Sequence, residues 1–125
     1  MEQIIWSDPS KDITHWEPSD RGAGVRFGPQ STKNFLKRNN LELVIRSHEL
    51  VDEGYLSWHD DMLYTLFSAS YYCGSNENKG AIAIFVDKTS RRFKPEFKTF
   101  FADVATLQTK SIDQVYTSFF KRIVI

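Results

Sequence analysis

The stretch "NLELVIRSHELVDEGY", residues Asn40 to Tyr55, joins a strand-like run to a histidine and then to an acidic bend that contains glycine. In its first half Leu41, Leu43 and Ile45 alternate with Glu42, Val44 and Arg46. A two-residue period of this kind predicts a strand with one buried face. Arg46 to Glu49 then lie at the carboxyl end of that strand, where the ligand crevices of open sheets form.

His48 has two interpretations at this position. A lone histidine after a strand is more often a hydrogen-bonded structural residue than a ligand. Its place at the carboxyl end of a strand favours a ligand. The local sequence leaves both roles open.

The composition limits the class of protein. With 125 residues the chain forms one domain at most, burying roughly two-thirds of its unfolded surface. Its 16 basic and 16 acidic side chains cancel, so neither nucleic acid nor an anionic membrane is indicated as a partner. The longest apolar run, "AIAIFV" from Ala81, is far shorter than the roughly 18 residues that span a bilayer, and no signal-peptide pattern begins the sequence. A soluble protein of the cytoplasm or nucleus is expected.

The cysteine and histidine content excludes two kinds of structural site. Cys73 is the one cysteine, so an internal disulfide is excluded and a reducing compartment is compatible with the sequence. One cysteine and three scattered histidines do not supply the ligand spacing of a structural zinc site.

Local signals predict the elements of the first half. The first thirty residues are rich in Pro and Gly beside Asp or Ser, which predicts a long loop region. A short helix is predicted from Pro29, with proline in its first turn and Asn39-Asn40 at its end. A turn at His59 to Asp61 is flanked by Tyr55 and Trp58 on one side and by the run from Leu63 to Phe67 on the other, which predicts a hairpin.

The second half contains a loop, two strands and a helix by the same reasoning. The polar stretch from Ser68 to Gly80 predicts a surface loop of the kind on which binding residues concentrate. The run from Ala81 predicts a strand, and Pro95 places the next strand at a sheet edge. From Ser111 a capping box with Gln114 and one apolar face predict an amphipathic helix.

Three blocks carry a resemblance to a known family. They are "IIWSDPSKDITHWEPSDRGAGVRFG" (Ile4 to Gly28), "IRSHELVDEGY" (Ile45 to Tyr55) and "TLFSASYYCGSNENKG" (Thr65 to Gly80). In order and spacing they resemble signature blocks of the phosphoprotein phosphatase family of serine/threonine phosphatases. The resemblance covers residues 4 to about 86. For the domain organisation we take 1–100 as the core match and 101–125 as a C-terminal extension. "IRSHE" and "RRFKPEFKTFFADV" look closest to the EF-hand-bearing members.

The resemblance implies roles for individual residues. His48 is similar to the family's last metal-ligand histidine, which favours the ligand interpretation. Arg21 and Tyr72 are similar to catalytic residues that bind the substrate phosphate, and a guanidinium can donate two parallel hydrogen bonds to it. Trp6, Asp8 and Cys73 are similar to residues of the substrate grooves and of the loop that natural toxins reach. His15 and His59 are expected to be structural.

Motifs that are missing from the 125 residues shape the functional expectation. G-D-x-H-G, G-D-x-x-D-R-G and G-N-H-E do not occur, and the sequence holds no Gly-Asp dipeptide. In the family these motifs complete a site for two divalent metals, here Mn, Fe or Zn. The resemblance therefore implies the C-terminal half of a catalytic domain, with a mixed α/β fold that forms about half of a metallophosphatase β-sandwich flanked by helices. One imidazole cannot hold two divalent ions, so we expect these residues alone to bind no metal stably and to be inactive.

The expected partners follow from the same half-domain. They are phosphoprotein substrates and the missing N-terminal half, and an exposed strand edge also favours a homo-oligomer. An alternative function is a non-catalytic binding module that keeps the loop around Tyr72 and Cys73. A phosphoesterase acting on nucleotides or nucleic acid fits less well, because "SDRG" and the Tyr72 loop resemble the protein phosphatases.

Overall fold

A computed structural model describes residues 2–85 and 94–102 of the chain. Its elements follow one another as α1 (Glu2–Trp6), β1 (Asp8–Pro9), β2 (Trp16–Pro18), β3 (Val25–Phe27), α2 (Pro29–Asn39), β4 (Val44–Arg46), β5 (Tyr55–Trp58), β6 (Leu63–Leu66), a 3-10 turn (Tyr72–Gly74), β7 (Gly80–Ile84) and β8 (Glu96–Phe100). The fold is therefore mixed α and β, as predicted.

The strands form small separate sheets. In the first, β3 lies between β1, to which it is parallel, and β2, to which it is antiparallel. In the second, β6 lies between β4, again parallel, and β5, again antiparallel. β7 and β8 form an antiparallel ribbon. Within the described residues β4 is thus an edge strand, and its Val44 and Ile45 line a largely apolar cavity of about 470 Å³.

Helix α2 forms as predicted, and both of its ends have a local cause. Pro29 occupies the first turn, where its missing N–H removes no helical hydrogen bond. At the other end Asn40 adopts a left-handed conformation with φ of 52°, and its N–H donates to the carbonyls of Leu36 and Lys37. Leu36 and Thr32 are the buried residues of α2, so this face of the helix packs against the interior.

The hairpin is also confirmed. β5 and β6 pair from Tyr55 opposite Leu66 to Trp58 opposite Leu63. The turn between them has three successive left-handed residues, with φ of 51° at His59, 56° at Asp60 and 62° at Asp61. Asparagine, aspartate and histidine tolerate this conformation better than most residues, which accounts for the turn composition.

The prediction of a long loop over the first thirty residues was wrong in part, because α1 and strands β1 to β3 lie there. Each of these strands has only two or three residues, so none is long enough to show an alternating pattern. The Pro- and Gly-rich segments are the connections between them.

The strand predicted from Leu41 is shorter than expected, and its apolar face is not buried. β4 begins at Val44, and Leu41 and Ile45 are 48% and 38% exposed. Since β4 is an edge strand, Ile45 lines the open cavity instead of packing beneath another layer.

The predicted C-terminal strands form, and β8 begins directly after Pro95. The ring of Phe97 in β8 stacks on that of Tyr55, with 4.2 Å between centroids, and its centroid lies 4.8 Å from that of Tyr64. Phe97 therefore joins the ribbon to the hairpin. The helix predicted from Ser111 and most of the extension 101–125 lie outside the described residues. No helix in the described ranges is long and apolar enough to cross a membrane.

The interior that the described residues form is small and partly polar. Leu36, Leu63, Tyr64 and Ala81 are its buried apolar side chains, and Asp8, Ser10, Thr32, His59, Thr65 and Asn78 are buried beside them. Within 2–85 and 94–102 every buried side-chain nitrogen and oxygen has a hydrogen-bond partner. Polar pairing therefore contributes to this interior alongside apolar packing.

His59 is one of these paired groups and has the structural role that we predicted for it. Its Nδ1 lies 2.8 Å from the Thr32 hydroxyl and its Nε2 lies 2.9 Å from the Ser10 carbonyl oxygen. A carbonyl only accepts, so Nε2 carries the proton and Nδ1 accepts from Thr32. The imidazole thereby ties the hairpin turn to α2 and to the segment after β1.

We predict that His59→Leu destabilises the chain. It leaves the Thr32 hydroxyl and the Ser10 carbonyl buried without a partner, which lowers the free energy of unfolding by about 2 kcal/mol or more. Urea denaturation followed by tryptophan fluorescence measures the change. His15→Leu is the matched control, because His15 is exposed and should change stability by less than about 0.5 kcal/mol. Equal effects of the two substitutions would contradict this role.

Asp61 makes the stability of the hairpin turn depend on pH. Hydrogen bonds from Ser57, Lys94 and Tyr64 lower the pKa of Asp61 from 3.8 to about 2. The folded state therefore binds this proton more weakly than the unfolded chain does. The stabilisation by Asp61 is complete above pH 3.8 and is lost as the pH falls through about 2.

We expect the wild-type chain to have a higher urea midpoint than Asp61→Asn at neutral pH, because the carboxylate accepts from Lys94. The difference should shrink between pH 4 and pH 2, the interval that the lowered pKa defines. A midpoint difference that stays constant over this interval would show that the charge of Asp61 has no part in it.

Candidate active site

The Asp8 carboxylate is the centre of the candidate site. Asp8 is the first residue of β1 and is only 7% exposed. Its Oδ2 accepts from Nη1 of Arg21 at 2.9 Å, and its Oδ1 accepts from Nη2 of Arg46 at 2.8 Å. One buried carboxylate thus holds two arginines that come from distant parts of the sequence.

Arg46 is the more buried of the two arginines. It is the last residue of β4, and its Nη2 also donates to the carbonyl oxygen of Ser7 at 3.2 Å. Its Nη1 donates to Oε2 of Glu49 at 2.5 Å. The guanidinium fork can serve these acceptors together because its donors are fixed in one plane.

Trp6 lies between Arg21 and His48. Its ring meets the His48 imidazole edge to face, with 4.9 Å between centroids and an interplanar angle of 89°. The Arg21 guanidinium carbon lies 5.4 Å from the centroid of the same ring. A cation over a tryptophan face is attracted by the ring quadrupole, so Trp6 helps to hold Arg21 as well as His48.

The backbone at His48 is strained. His48 follows the end of β4 by two residues and has φ of 89°, outside the regions that a side chain favours. A residue in such a conformation costs about 1–3 kcal/mol and occurs most often at functional sites. The strain supports the ligand interpretation of His48 over a purely structural role.

The charges of the cluster balance in a partly buried setting. Burial raises the pKa of Glu49, the charge of Arg46 opposes this, and the nearby Asp8 carboxylate reinforces it. The hydrogen bond to Asp8 raises the pKa of Arg21, so its guanidinium stays charged. The Arg21 side chain is 40% exposed, so it is held by Asp8 and still open to a ligand.

A polar cavity of about 430 Å³ lies beside the cluster. Its cationic lining side chains are Lys11, Arg21 and Arg26, and its carboxylates are Asp8, Asp12, Asp20 and Glu49. In the described part of the chain only Nη1 of Arg21 makes a hydrogen bond from the side chain, to Asp8. The remaining guanidinium donors of Arg21 can therefore bind an anion with two oxygens, such as a phosphate.

The structure brings together only some of the predicted site residues. Trp6, Asp8, Arg21 and His48 form the cluster. Tyr72 and Cys73 lie on the loop between β6 and β7, where the Tyr72 ring packs edge to face on Phe67 at 5.0 Å and Cys73 is exposed. No hydrogen bond or ring contact among the described residues joins this loop to the cluster. The resemblance implies that Tyr72 and Arg21 bind the same phosphate, but the structure shows no direct contact between these two residues.

Sequence reasoning missed the part of Arg46 in the cluster and the buried, hydrogen-bonded Asn78 of the Tyr72 loop. A signal for Arg46 existed, since it stands two positions before His48 and so shares a face with it on an extended chain. Asn78 has no comparable signal, because its partners are loop backbone groups that only the fold brings near.

The described residues do not by themselves fit a bimetal site. His48 is the one imidazole in the cluster, and Asp8 and Glu49 are paired with arginines. Within 2–85 and 94–102 no group of three His, Cys, Asp or Glu side chains is placed to hold a metal ion. A metal centre at His48 needs ligands from other residues.

Comparison with known proteins identifies the family of the chain. Residues 1–52 match the family of calcineurin-like phosphoesterases. Over 102 residues, 82% of the chain, it is 47% identical to serine/threonine-protein phosphatase 5 of Solanum lycopersicum and 46% identical to that of Arabidopsis thaliana. The chain belongs to the phosphoprotein phosphatase family. As a phosphatase segment, it spans only 18% of the length of these two relatives.

A solved structure supports the phosphatase fold. It is a serine/threonine phosphatase from Saccharomyces cerevisiae with similarity to human phosphatase PP5, and it matches with a TM-score of 0.68 and 34% sequence identity. The match covers 79% of this chain and 33% of the yeast chain. The sheets described above are thus part of a metallophosphatase domain.

We predict that Asp8→Asn loosens the phosphatase cluster. The amide is neutral and has one oxygen for two guanidinium groups, so both arginines lose the charge of Asp8 and one of them also loses its hydrogen-bond acceptor. The free energy of unfolding should fall by about 2 kcal/mol. Urea denaturation measures the loss. Asp20→Asn, an exposed carboxylate next to Arg21 in sequence, should change it by less than about 0.5 kcal/mol. Similar losses for both variants would show that the bridge contributes little.

Proposed function

We propose that the chain is part of a metal-dependent protein phosphatase that hydrolyses phosphoserine and phosphothreonine. The observation that carries this proposal is the Arg21 guanidinium, which Asp8 and Trp6 hold at the edge of a polar cavity. The phosphatase relatives support the same reaction class. The narrower likeness to EF-hand-bearing members stays a prediction.

In this proposal each residue has a distinct task. Arg21 binds the phosphate oxygens through its free donors and neutralises their charge, and Tyr72 donates a hydrogen bond to the same phosphate. His48 contributes an imidazole to the metal centre of the longer protein, whose two divalent ions supply the activated water. Trp6 keeps Arg21 and His48 at a constant separation.

The 125 residues alone should not catalyse this reaction. A phosphate ester requires an activated nucleophile, and the described residues hold no cluster that could bind the activating metals. Arg21 can bind the phosphate but cannot activate water. Binding without turnover is therefore the proposed behaviour of the isolated chain.

The proposed partner of the chain is the remainder of the catalytic domain. The apolar cavity beside β4 is lined by Phe27, Phe35, Val44, Ile45 and Leu63, and the described residues leave it open. Arg46 of the cluster lines the same cavity, so a segment that fills it also reaches the site. This placement would cover the edge of β4 and bring the missing ligands to His48. A homo-oligomer of the isolated chain would cover the same edge.

A second candidate function is a binding module without catalysis. It is favoured by the absence of a metal-ligand cluster in the described ranges together with the exposed Tyr72 and Cys73 on their loop. The coding sequence upstream of residue 1 separates the two candidates. If it encodes the Gly-Asp metal motifs, the protein is an enzyme.

The test compares the 125-residue chain with the longer protein that contains it, both supplied with Mn²⁺ and a phosphoserine peptide. We expect turnover from the longer protein and none above background from the chain. Arg21→Lys in the longer protein should lower kcat/KM by about 100-fold, because lysine cannot form the paired hydrogen bonds. Arg38→Lys, on the exposed side of α2, is the control and should leave kcat/KM unchanged.

Two outcomes would overturn the proposal. One is binding of the phosphopeptide by the longer protein without turnover, which identifies a binding module. Metal-dependent turnover by the 125-residue chain would instead show that it carries a complete site.

A further inference from the structure

The loop that carries Tyr72 is organised around a buried asparagine. Asn78 is 1% exposed, although the loop residues from Tyr72 to Glu77 are exposed. The hydrophobic effect does not explain this burial, because burying an amide is unfavourable unless it is hydrogen-bonded. The contacts of Asn78 therefore indicate what the residue does.

The Asn78 amide connects both arms of the loop. Its Oδ1 accepts from the backbone N–H of Tyr72 at 2.9 Å, and its Nδ2 donates to the carbonyl oxygens of Ala69 at 2.7 Å and Lys79 at 3.0 Å. Its own carbonyl oxygen accepts from the N–H of Tyr71 at 3.0 Å. Asn78 thus holds the backbone that leads into Tyr72 from the buried side of the loop.

The loop needs this support because its backbone is strained. Tyr71 and Cys73, which flank Tyr72, both have left-handed backbones with φ of 53° and 56°. Side-chain-bearing residues keep such conformations only where the surroundings determine them. The amide of Asn78 supplies that constraint at the residue between them.

We infer that Asn78 is a positioning residue that sets where Tyr72 presents its phenol to the substrate phosphate. The inference rests on the proposed function for the role of Tyr72, but the hydrogen bonds do not depend on that function. Asparagine is suited to the task because it accepts and donates with one group. Aspartate could accept from Tyr72 but would place a carboxylate against the carbonyl oxygens of Ala69 and Lys79.

The chain offers a matched control on the same loop. Asn76 also bonds Tyr72, through its Nδ2 to the Tyr72 carbonyl oxygen at 2.9 Å, but Asn76 is exposed. Water can replace the hydrogen bond of Asn76 and cannot readily replace that of Asn78. The pair separates the effect of a buried amide from that of any asparagine in contact with Tyr72.

The geometry is tested on the 125-residue chain by NMR. In the wild-type chain a scalar coupling across the hydrogen bond should connect the Tyr72 amide nitrogen with the side-chain carbonyl carbon of Asn78. Asn78→Asp should accelerate exchange of the Tyr72 amide proton by about tenfold or more, because the carbonyl oxygens of Ala69 and Lys79 repel the carboxylate and turn it away from the Tyr72 N–H. Asn76→Asp should accelerate it by less than about twofold. Thr65 on β6 reports global folding, and its amide exchange should not change in either variant.

Two results on the chain would overturn the inference. One is a wild-type spectrum without the coupling, which needs no variant and decides the geometry even if Asn78→Asp unfolds the chain. The other is equal Tyr72 exchange in Asn78→Asp and Asn76→Asp with Thr65 still protected.

The consequence for activity is tested in the longer protein by a double-mutant cycle. Asn78→Asp should lower kcat by about tenfold with a smaller change in KM, and in a Tyr72→Phe background its additional effect on kcat should fall below about twofold. Asn78→Ser replaces Asn78→Asp if the latter does not fold. An Asn78 effect of the same size in both backgrounds would show that it does not act through Tyr72. A wild-type longer protein without phosphatase activity would refute the proposed function and leave the NMR result standing.

Discussion

The carboxylate of Asp8 is the interaction on which the candidate site depends. It holds Arg21 from the loop before β3 and Arg46 from the end of β4, so three separated segments meet at one buried group. Removing water from a carboxylate is costly unless charged donors replace it, and here two guanidinium groups do so. Because Arg46 also binds the Ser7 carbonyl and Glu49, the network stabilises the end of β4 just before His48. The strained backbone of His48 is thus next to a well-anchored residue.

The site is nevertheless only partly built by these residues. Trp6 contacts both Arg21 and His48 through its ring, which places a partly exposed cation near one imidazole. Nothing among the described residues adds the further ligands that a metal ion requires. Arg46 also lines the apolar cavity beside the edge strand β4. The same surface of the described residues therefore lacks both a covering layer and further metal ligands. Both deficits are consistent with a chain that spans 18% of its phosphatase relatives.

The Tyr72 loop follows the same physical logic on a smaller scale. A buried polar group with all its hydrogen bonds made fixes a backbone that local preference would not choose. Asp8 does this for two arginines, and Asn78 does it for the residues around Tyr72. In both places a buried side chain holds an exposed residue in position, and only the exposed residue could contact a substrate.

The sequence by itself determined the elements with strong local signals and the family. Pro29 and Asn40 predicted the ends of α2, the His59 turn predicted the hairpin, and the signature blocks predicted the phosphatase fold. It did not reveal strands of two or three residues, which are too short to show a period, nor the exposure of Ile45, which depends on β4 being an edge. Only the tertiary structure decided that Asp8 is buried between two arginines and that Asn78 supports Tyr72. Such pairs form between residues far apart in sequence or through backbone groups, and neither leaves a local pattern.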